Sequence, residues 1–167
     1  SEEDCADWAA RLAQHGAEAV AFPCIRTQPI VDAQRQAVLA RALAEADWLV
    51  FTSRRGVEGF AALTATAPRA QCRIAVVGAA TAEAATAQLG RVDLVAAGGT
   101  AASLAATLVD VGDLKRHPRV LLALAENAGD ALHRTLEAAG ARCTRLDVYP
   151  TIPEPPGEPG GPLSTPR

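Results

Sequence analysis

Short runs of β-branched and other apolar residues alternate along the chain with longer stretches rich in Ala and Leu. The runs that read as strands are Trp48-Leu-Val-Phe-Thr52, Arg73-Ile-Ala-Val-Val-Gly78, Val92-Asp-Leu-Val-Ala96, Arg119-Val-Leu-Leu-Ala-Leu124 and Cys143-Thr-Arg-Leu-Asp-Val-Tyr149. They start near 47, 73, 92, 118 and 142, so 26, 19, 26 and 24 residues separate them, a spacing that suits βα units with short loops. Between them apolar residues recur at helical spacing: Val38, Leu39 and Leu43; Leu104 and Leu108; Leu132 and Leu136. The runs ending at Gly78 and Leu124 are almost continuously apolar, which is expected of a sheet covered on both faces. The pattern therefore predicts an α/β fold with a parallel, doubly wound sheet. Gly140 reads as the stop of the helix before the last strand.

A smaller copy of the same grammar comes first. Asp7–Gln14 reads as a helix with Trp8 and Leu12 one turn apart, His15-Gly16 ends it, and Ala17–Phe22 reads as a strand. Both this phrase and the one from Leu136 to Leu146 run on into proline, so a second domain is entered before residue 30 and left near 150. After Ile152 the composition changes. Seven of the eleven prolines fall between Pro150 and Pro166 with Gly157, Gly160 and Gly161 among them, so the stretch is expected to be an extended, disordered tail or a reading-frame artefact.

Composition narrows the function classes. Apolar residues make up 49% of the 167 and charged residues 21%, ample for a buried core. No apolar run is long enough to span a bilayer, and no basic-then-apolar leader opens the chain. The chain begins with Ser1 and has no Met, as a processed, tagged or excerpted sequence would. A net charge of −3 gives no general attraction to nucleic acid or to an anionic membrane, so neither is expected as a partner. Cys5, Cys24, Cys72 and Cys143 are scattered without a CxxC pair, which argues for small buried hydrophobes in a reducing compartment, the cytoplasm, rather than disulfides or zinc.

In an open parallel sheet, ligands bind beyond the carboxyl ends of the strands. The loops there are Thr52-Ser-Arg-Arg-Gly56, Gly78-Ala-Ala-Thr81, Ala97-Gly-Gly-Thr-Ala101 and Ala125-Glu-Asn-Ala-Gly129. Three of them place a hydroxyl residue close to Gly where a helix begins. Helix N-termini with free N–H groups, together with Arg54 and Arg55, would make an anion-binding wall. Taken singly, Thr52, Ser53, Thr81 and Thr100 could equally be helix caps. No dinucleotide fingerprint, phosphate loop, GxSxG or HExxH is present. His15, His117 and His133 lie apart near polar helix ends and read as surface or capping residues. Tyr149, the only tyrosine, ends a strand just before proline at the domain exit; it is either a core or hinge residue or a hydrogen-bond donor to a cleft.

Taken in order, Asp47-Trp-Leu-Val-Phe-Thr-Ser53 with Gly56-Val57, Ile74-Ala-Val-Val-Gly78 with Thr81, Gly99-Thr-Ala-Ala-Ser-Leu104, and Leu146-Asp-Val-Tyr149 with Thr151 resemble the uroporphyrinogen-III synthase family over about residues 5 to 153. The resemblance implies two similar flavodoxin-like domains, each a five-stranded parallel sheet, one inserted in the other through a two-stranded connector. On that scheme residues 1–30 are a fragment of the outer domain with the first connector strand, 31–143 the inserted domain, 144–152 the return strand and 153–167 the tail. It further implies closure of hydroxymethylbilane with inversion of the last pyrrole ring, giving uroporphyrinogen III and water, a lyase reaction that needs no cofactor and no metal. The substrate is an anionic linear tetrapyrrole with eight carboxylates, and the full-length enzyme is expected to be a monomer. Tyr149 matches the family's tyrosine and would assist departure of the hydroxyl. Thr52, Ser53, Arg54, Gly78, Thr81, Thr100 and Ser103 would bind the substrate and its carboxylate groups. Relatives often carry Leu-Arg-Gly in the loop after Leu122, where Leu124-Ala125 stands here. With so little of the outer domain, this chain is expected to turn over slowly or not at all.

Two other readings compete. One is a non-catalytic α/β binding or interaction module that keeps the fold. The other is a phospho-receiver or flavodoxin-like domain, weakened because Asp47 and Asp93 lie near strand starts rather than strand ends.

Overall fold

The computed structural model describes residues 2–20, 25–111 and 114–153, with the side chains of 2–7 left out. It divides into two compact units, Gln28–Pro150 and a smaller one made of Ser1–Thr27 and Thr151–Arg167. The expected disordered tail lies outside the described residues, apart from its first residue, Pro153.

In the smaller unit, α1 (Glu2–Ala13) is followed by β1 (Ile25–Thr27), which pairs antiparallel with β7 (Thr151–Pro153). Of the strand expected over Ala17–Phe22, Ala17–Val20 carries no regular structure, and residues 21–22 lie outside the described part. His15 and Gly16 close α1 through backbone bonds to Leu12 and Ala13.

The larger unit runs α2 (Ala33–Glu45), β2 (Trp48–Phe51), α3 (Arg54–Leu63), β3 (Arg73–Val77), α4 (Gly78–Leu89), β4 (Leu94–Ala96), α5 (Ala101–Val111), β5 (Arg119–Ala125), α6 (Ala131–Ala138) and β6 (Arg142–Tyr149). Its sheet has the order β4-β3-β2-β5-β6, and every pairing is parallel. The order reverses between β2 and β5, so the crevice where a doubly wound sheet takes ligands lies at the ends of those two strands. The fifth strand continues past the boundary drawn at 143: Thr144 to Asp147 and Tyr149 pair with β5 as the sheet's edge, and of the return segment only Thr151–Pro153 belongs to the two-stranded ribbon. The expected Val92–Ala96 strand is also shorter, Leu94–Ala96, and Asp93 just before it bonds Ile74 twice, its N–H donating to Ile74 O at 2.9 Å and its carboxylate accepting from Ile74 N at 2.7 Å.

Alternation along the strands divides the core in two. Leu49 and Phe51, Ile74 and Val76, Leu121 and Ala123 pack against Leu39, Val57 and Phe60 of α2 and α3. Trp48 and Val50, Ala75 and Val77, Leu122 and Leu124 pack against Leu104, Leu108, Leu132 and Leu136 of α5 and α6. Each fully buried side chain of this size contributes roughly 1.5–3 kcal/mol. Because each face is closed by helices, both sides of the central strands β2, β3 and β5 must be apolar, which is why these strands read as near-continuous runs.

Candidate functional site

All five sheet strands point the same way, so the loops after β2, β3, β4 and β5 and the end of β6 share one rim. At about 4.8 Å per strand, that rim extends on the order of 19 Å from β4 to β6.

Its most defined feature joins the ends of β2 and β6. The hydroxyls of Ser53 and Tyr149 are hydrogen-bonded at 2.9 Å, and either can donate. Ser53 is also the N-cap of α3, accepting the backbone N–H of Gly56 at 3.1 Å. Tyr149 is 9% exposed, with its ring in the core beneath α3. That orientation is not what alternation would give. Leu146 and Val148 already face α3, so Tyr149 should face α6. A bulge changes it: Asp147 stands opposite Leu124, whereas Tyr149 stands opposite Ala125, leaving Val148 as the extra residue. Bulges of this kind re-aim a side chain at the end of a strand. Three backbone carbonyls fix the bulged segment. Asp147 O accepts from Arg35 Nε at 3.1 Å, Val148 O from Ile30 N at 2.9 Å and Tyr149 O from Glu126 N at 2.9 Å. Ala123 and Ala125 of the intervening strand lie on the same face, and their small side chains leave room for the ring to reach Ser53.

The other expected site residues take several roles. Thr52 is half-buried beside Ser53. Arg54 and Arg55 open α3, and both are paired with a carboxylate. Glu58, one turn on, takes Arg54 Nε at 3.6 Å and Arg55 Nη1 at 2.6 Å, which offsets much of their field at the rim. Glu58 carries no motif signal beyond its i+3 and i+4 spacing from the two arginines. Gly78 has φ +71°, a left-handed conformation that lets β3 turn straight into α4 without a loop. The cap residue of α4 is Val77, which supplies no side-chain acceptor, so its first-turn N–H groups open onto the rim. Thr81 is buried within α4, past the capping position. Thr100 and Ser103 cap one another: Ser103 N donates to Thr100 Oγ1 at 3.0 Å, Thr100 N to Ser103 Oγ at 3.2 Å, and Ser103 Oγ to Thr100 O at 2.7 Å. Their hydroxyls thus serve the start of α5 first, at the rim's far end from Tyr149.

Arg145, which no sequence motif marks, organises the loop from Ala125 to Asp130. Its side chain is 17% exposed and bonds two carboxylates, Asp130 and Asp147, both at 2.8 Å. Asp130 is the cap residue of α6, yet its side chain makes no capping bond, so α6 also begins with open N–H groups.

Elsewhere the chemistry is structural. Asp47 and Asp93 sit at the amino ends of the strands, away from the rim, where they hold backbone N–H groups of Arg119 and Ile74. His117 bonds Gly140 O through Nδ1 at 2.8 Å and His133 meets Glu137 at 3.2 Å, both as capping or surface contacts. Cys72 and Cys143 are free thiols; the side chains of Cys5 and Cys24 lie outside the described ones. Among the described residues, no group of three or more His, Cys, Asp or Glu could hold a metal ion, and no helix is long and apolar enough to cross a membrane. Two grooves of about 210 and 280 Å³ lie at the amino side of the sheet against α2, away from the rim.

The larger unit, with its paired Ser–Tyr hydroxyls and the starts of α4 and α6 at one carboxyl rim, is an α/β unit of the doubly wound class. Within that class, the family described as uroporphyrinogen-III synthase HemD matches residues 6–160, and the chain belongs to it. Solved structures agree in fold. A selenomethionine mutant of uroporphyrinogen III synthase from the extremely thermophilic bacterium Thermus thermophilus superposes with TM-score 0.62 at 24% identity, over 89% of this chain and 60% of that one. The wild-type form gives 0.54 at 22% identity, over 89% and 59%, and another Thermus thermophilus uroporphyrinogen III synthase structure gives 0.55 at 21%, over 91% and 60%. The chain thus spans about 60% of the length of these relatives. No curated protein matches it.

Proposed function

We propose that the rim of the larger unit binds hydroxymethylbilane, a carboxylate-rich linear tetrapyrrole, and acts as a lyase in its closure to uroporphyrinogen III. The observation that carries this reading is the bulge-aimed Tyr149 hydroxyl bonded to Ser53 at 2.9 Å. With Ser53 donating to the phenol oxygen, a relay runs from the Gly56 N–H at the start of α3 through Ser53 to Tyr149. Each bond polarises the next, and the helix dipole favours electron density at that end. The Tyr149 O–H is then free to donate to the departing hydroxyl; as the C–O bond breaks, that hydroxyl takes up one proton and leaves as water while the adjacent pyrrole gives up its N–H proton and becomes an azafulvene. Ring closure follows by carbon–carbon bond formation to the last pyrrole through a spiro intermediate, which rearranges with that ring inverted. The open amides of α4 and α6, with Thr52 and the Arg54–Arg55–Glu58 group, would take acetate and propionate carboxylates, so holding geometry supplies most of the catalysis.

The test is incubation with hydroxymethylbilane followed by separation of the type I and type III isomers. Type III above the protein-free level, even at low rate, supports the reading. Binding of uroporphyrinogen with only type I formed would make the chain a non-catalytic module, and neither binding nor type III would overturn the assignment of the rim.

A further inference from the structure

We infer that Arg145 is a positioning residue that sets Tyr149 through the loop from Ala125 to Asp130. The guanidinium has five N–H donors, and the structure accounts for all of them. Nε donates to Asp147 Oδ1 at 2.8 Å. Nη1 donates to Ala128 O and Asp130 Oδ1, both at 2.8 Å. Nη2 donates to Ala125 O and Glu126 O, both at 3.1 Å. Three carbonyls of one loop therefore converge on a point that only a multivalent donor can occupy.

That loop is tied directly to the tyrosine. Ala125 is the ladder partner of Tyr149, and Glu126 donates its N–H to Tyr149 O at 2.9 Å. Glu126 thus bridges the two residues, its N–H to Tyr149 and its C=O to Arg145. Arg145 and Asp147 face α6, whereas Tyr149 turns to α3, so the arginine never reaches the phenol and acts on it only through this backbone bridge. By drawing the Asp130 carboxylate away from its capping position, the same side chain also leaves the start of α6 open. Lysine, with three donors on a flexible stem, cannot reproduce a planar fork that serves five acceptors.

The role in catalysis rests on the reading of Tyr149 given above; the positioning does not, and it can be measured separately. Because the chain has one tyrosine, 3-fluorotyrosine incorporation yields a single ¹⁹F resonance that reports the phenol's surroundings. Arg145→Gln and Arg145→Lys are each expected to move or broaden that resonance at temperatures where far-UV circular dichroism shows the fold intact. Arg134→Gln, exposed on α6, leaves it unchanged. A folded Arg145→Gln or Arg145→Lys protein with the native resonance overturns the inference, because a purely structural loss would lower the melting temperature without moving the signal. Should Arg145→Gln fail to fold, Arg145→Lys, which keeps the charge and stem, decides. Where type III forms, both variants are expected to lower kcat by roughly tenfold to a hundredfold with KM held. A moved resonance with no type III from the unmodified chain would uphold the positioning and refute the proposed reaction; type III production untouched by either variant, with the resonance unmoved, would do the reverse.

Discussion

The α-carbon of Gly59 lies so close to Val148 that a Cβ there would come within 2.8 Å of the Val148 carbonyl oxygen and 3.1 Å of its side chain. Helix α3 can therefore sit directly on the bulge of β6, the feature that turns Tyr149 toward Ser53. Neither neighbour is a flexible side-chain end that could move aside.

Replacing Gly59 by Ala should cost stability by overpacking, about 1–3 kcal/mol, despite alanine's better helix propensity. Gly129 has open space around it and an ordinary φ, so Gly129→Ala should be neutral or slightly stabilising. Urea denaturation of the two variants provides the comparison. Equal midpoints would mean that the approach of α3 to β6 is not tight.

Tyr149→Phe keeps the ring in the core and removes only the hydroxyl. The cost in stability should be about 0.5–1.5 kcal/mol, the worth of one hydrogen bond. Any type III formation should fall to the protein-free level while uroporphyrinogen binding persists. Undiminished type III from the Phe variant would remove Tyr149 from the reaction.

Ser53→Ala breaks two contacts at once, the cap on Gly56 N and the bond to Tyr149. The lost cap alone should cost about 1 kcal/mol in urea titrations. Ser53→Thr retains an acceptor and should recover most of that loss. If Ala and Thr behave alike, the serine is not capping α3.

The sheet was legible because strands covered on both faces must be apolar on both, and Leu49–Phe51 and Ile74–Val77 show that plainly. Tyr149 and Ser53 were legible as residue types at the ends of strands. Their partnership was not, since it depends on one extra residue in β6. The only trace of that residue in the sequence is Val148-Tyr149, two adjacent apolar positions where alternation from Leu146 calls for one. The same continuation hid the end of the domain, because a strand running on to Tyr149 looks like a connector that starts at 144. Arg145 sits among alternating polar residues and reads as solvent-facing; that it folds forward under a loop depends on carbonyl directions that no pattern of residue types encodes. The paired arginines advertised an anion site, but Glu58 tempers them, and only their helical spacing hints at it.

The thiol of Cys143 supplies a pH test of the packing between β6 and α6. Burial pushes its pKa from 9.0 up to about 11, and Glu137 acts in the same direction. The fold favours the protonated thiol, so between these values the unfolded chain releases the proton first. The contribution of this group is therefore complete below pH 9 and is lost as pH rises toward 11. Cys143→Ala removes the titration while leaving the other basic groups in place. The stability advantage of the native chain over this variant should hold constant from pH 6 to 8 and shrink between pH 9 and 11, as followed by urea denaturation at each pH. Curves that stay parallel across that window would show that the thiol is as well solvated in the fold as in the unfolded chain, contrary to its place beside the α6 core.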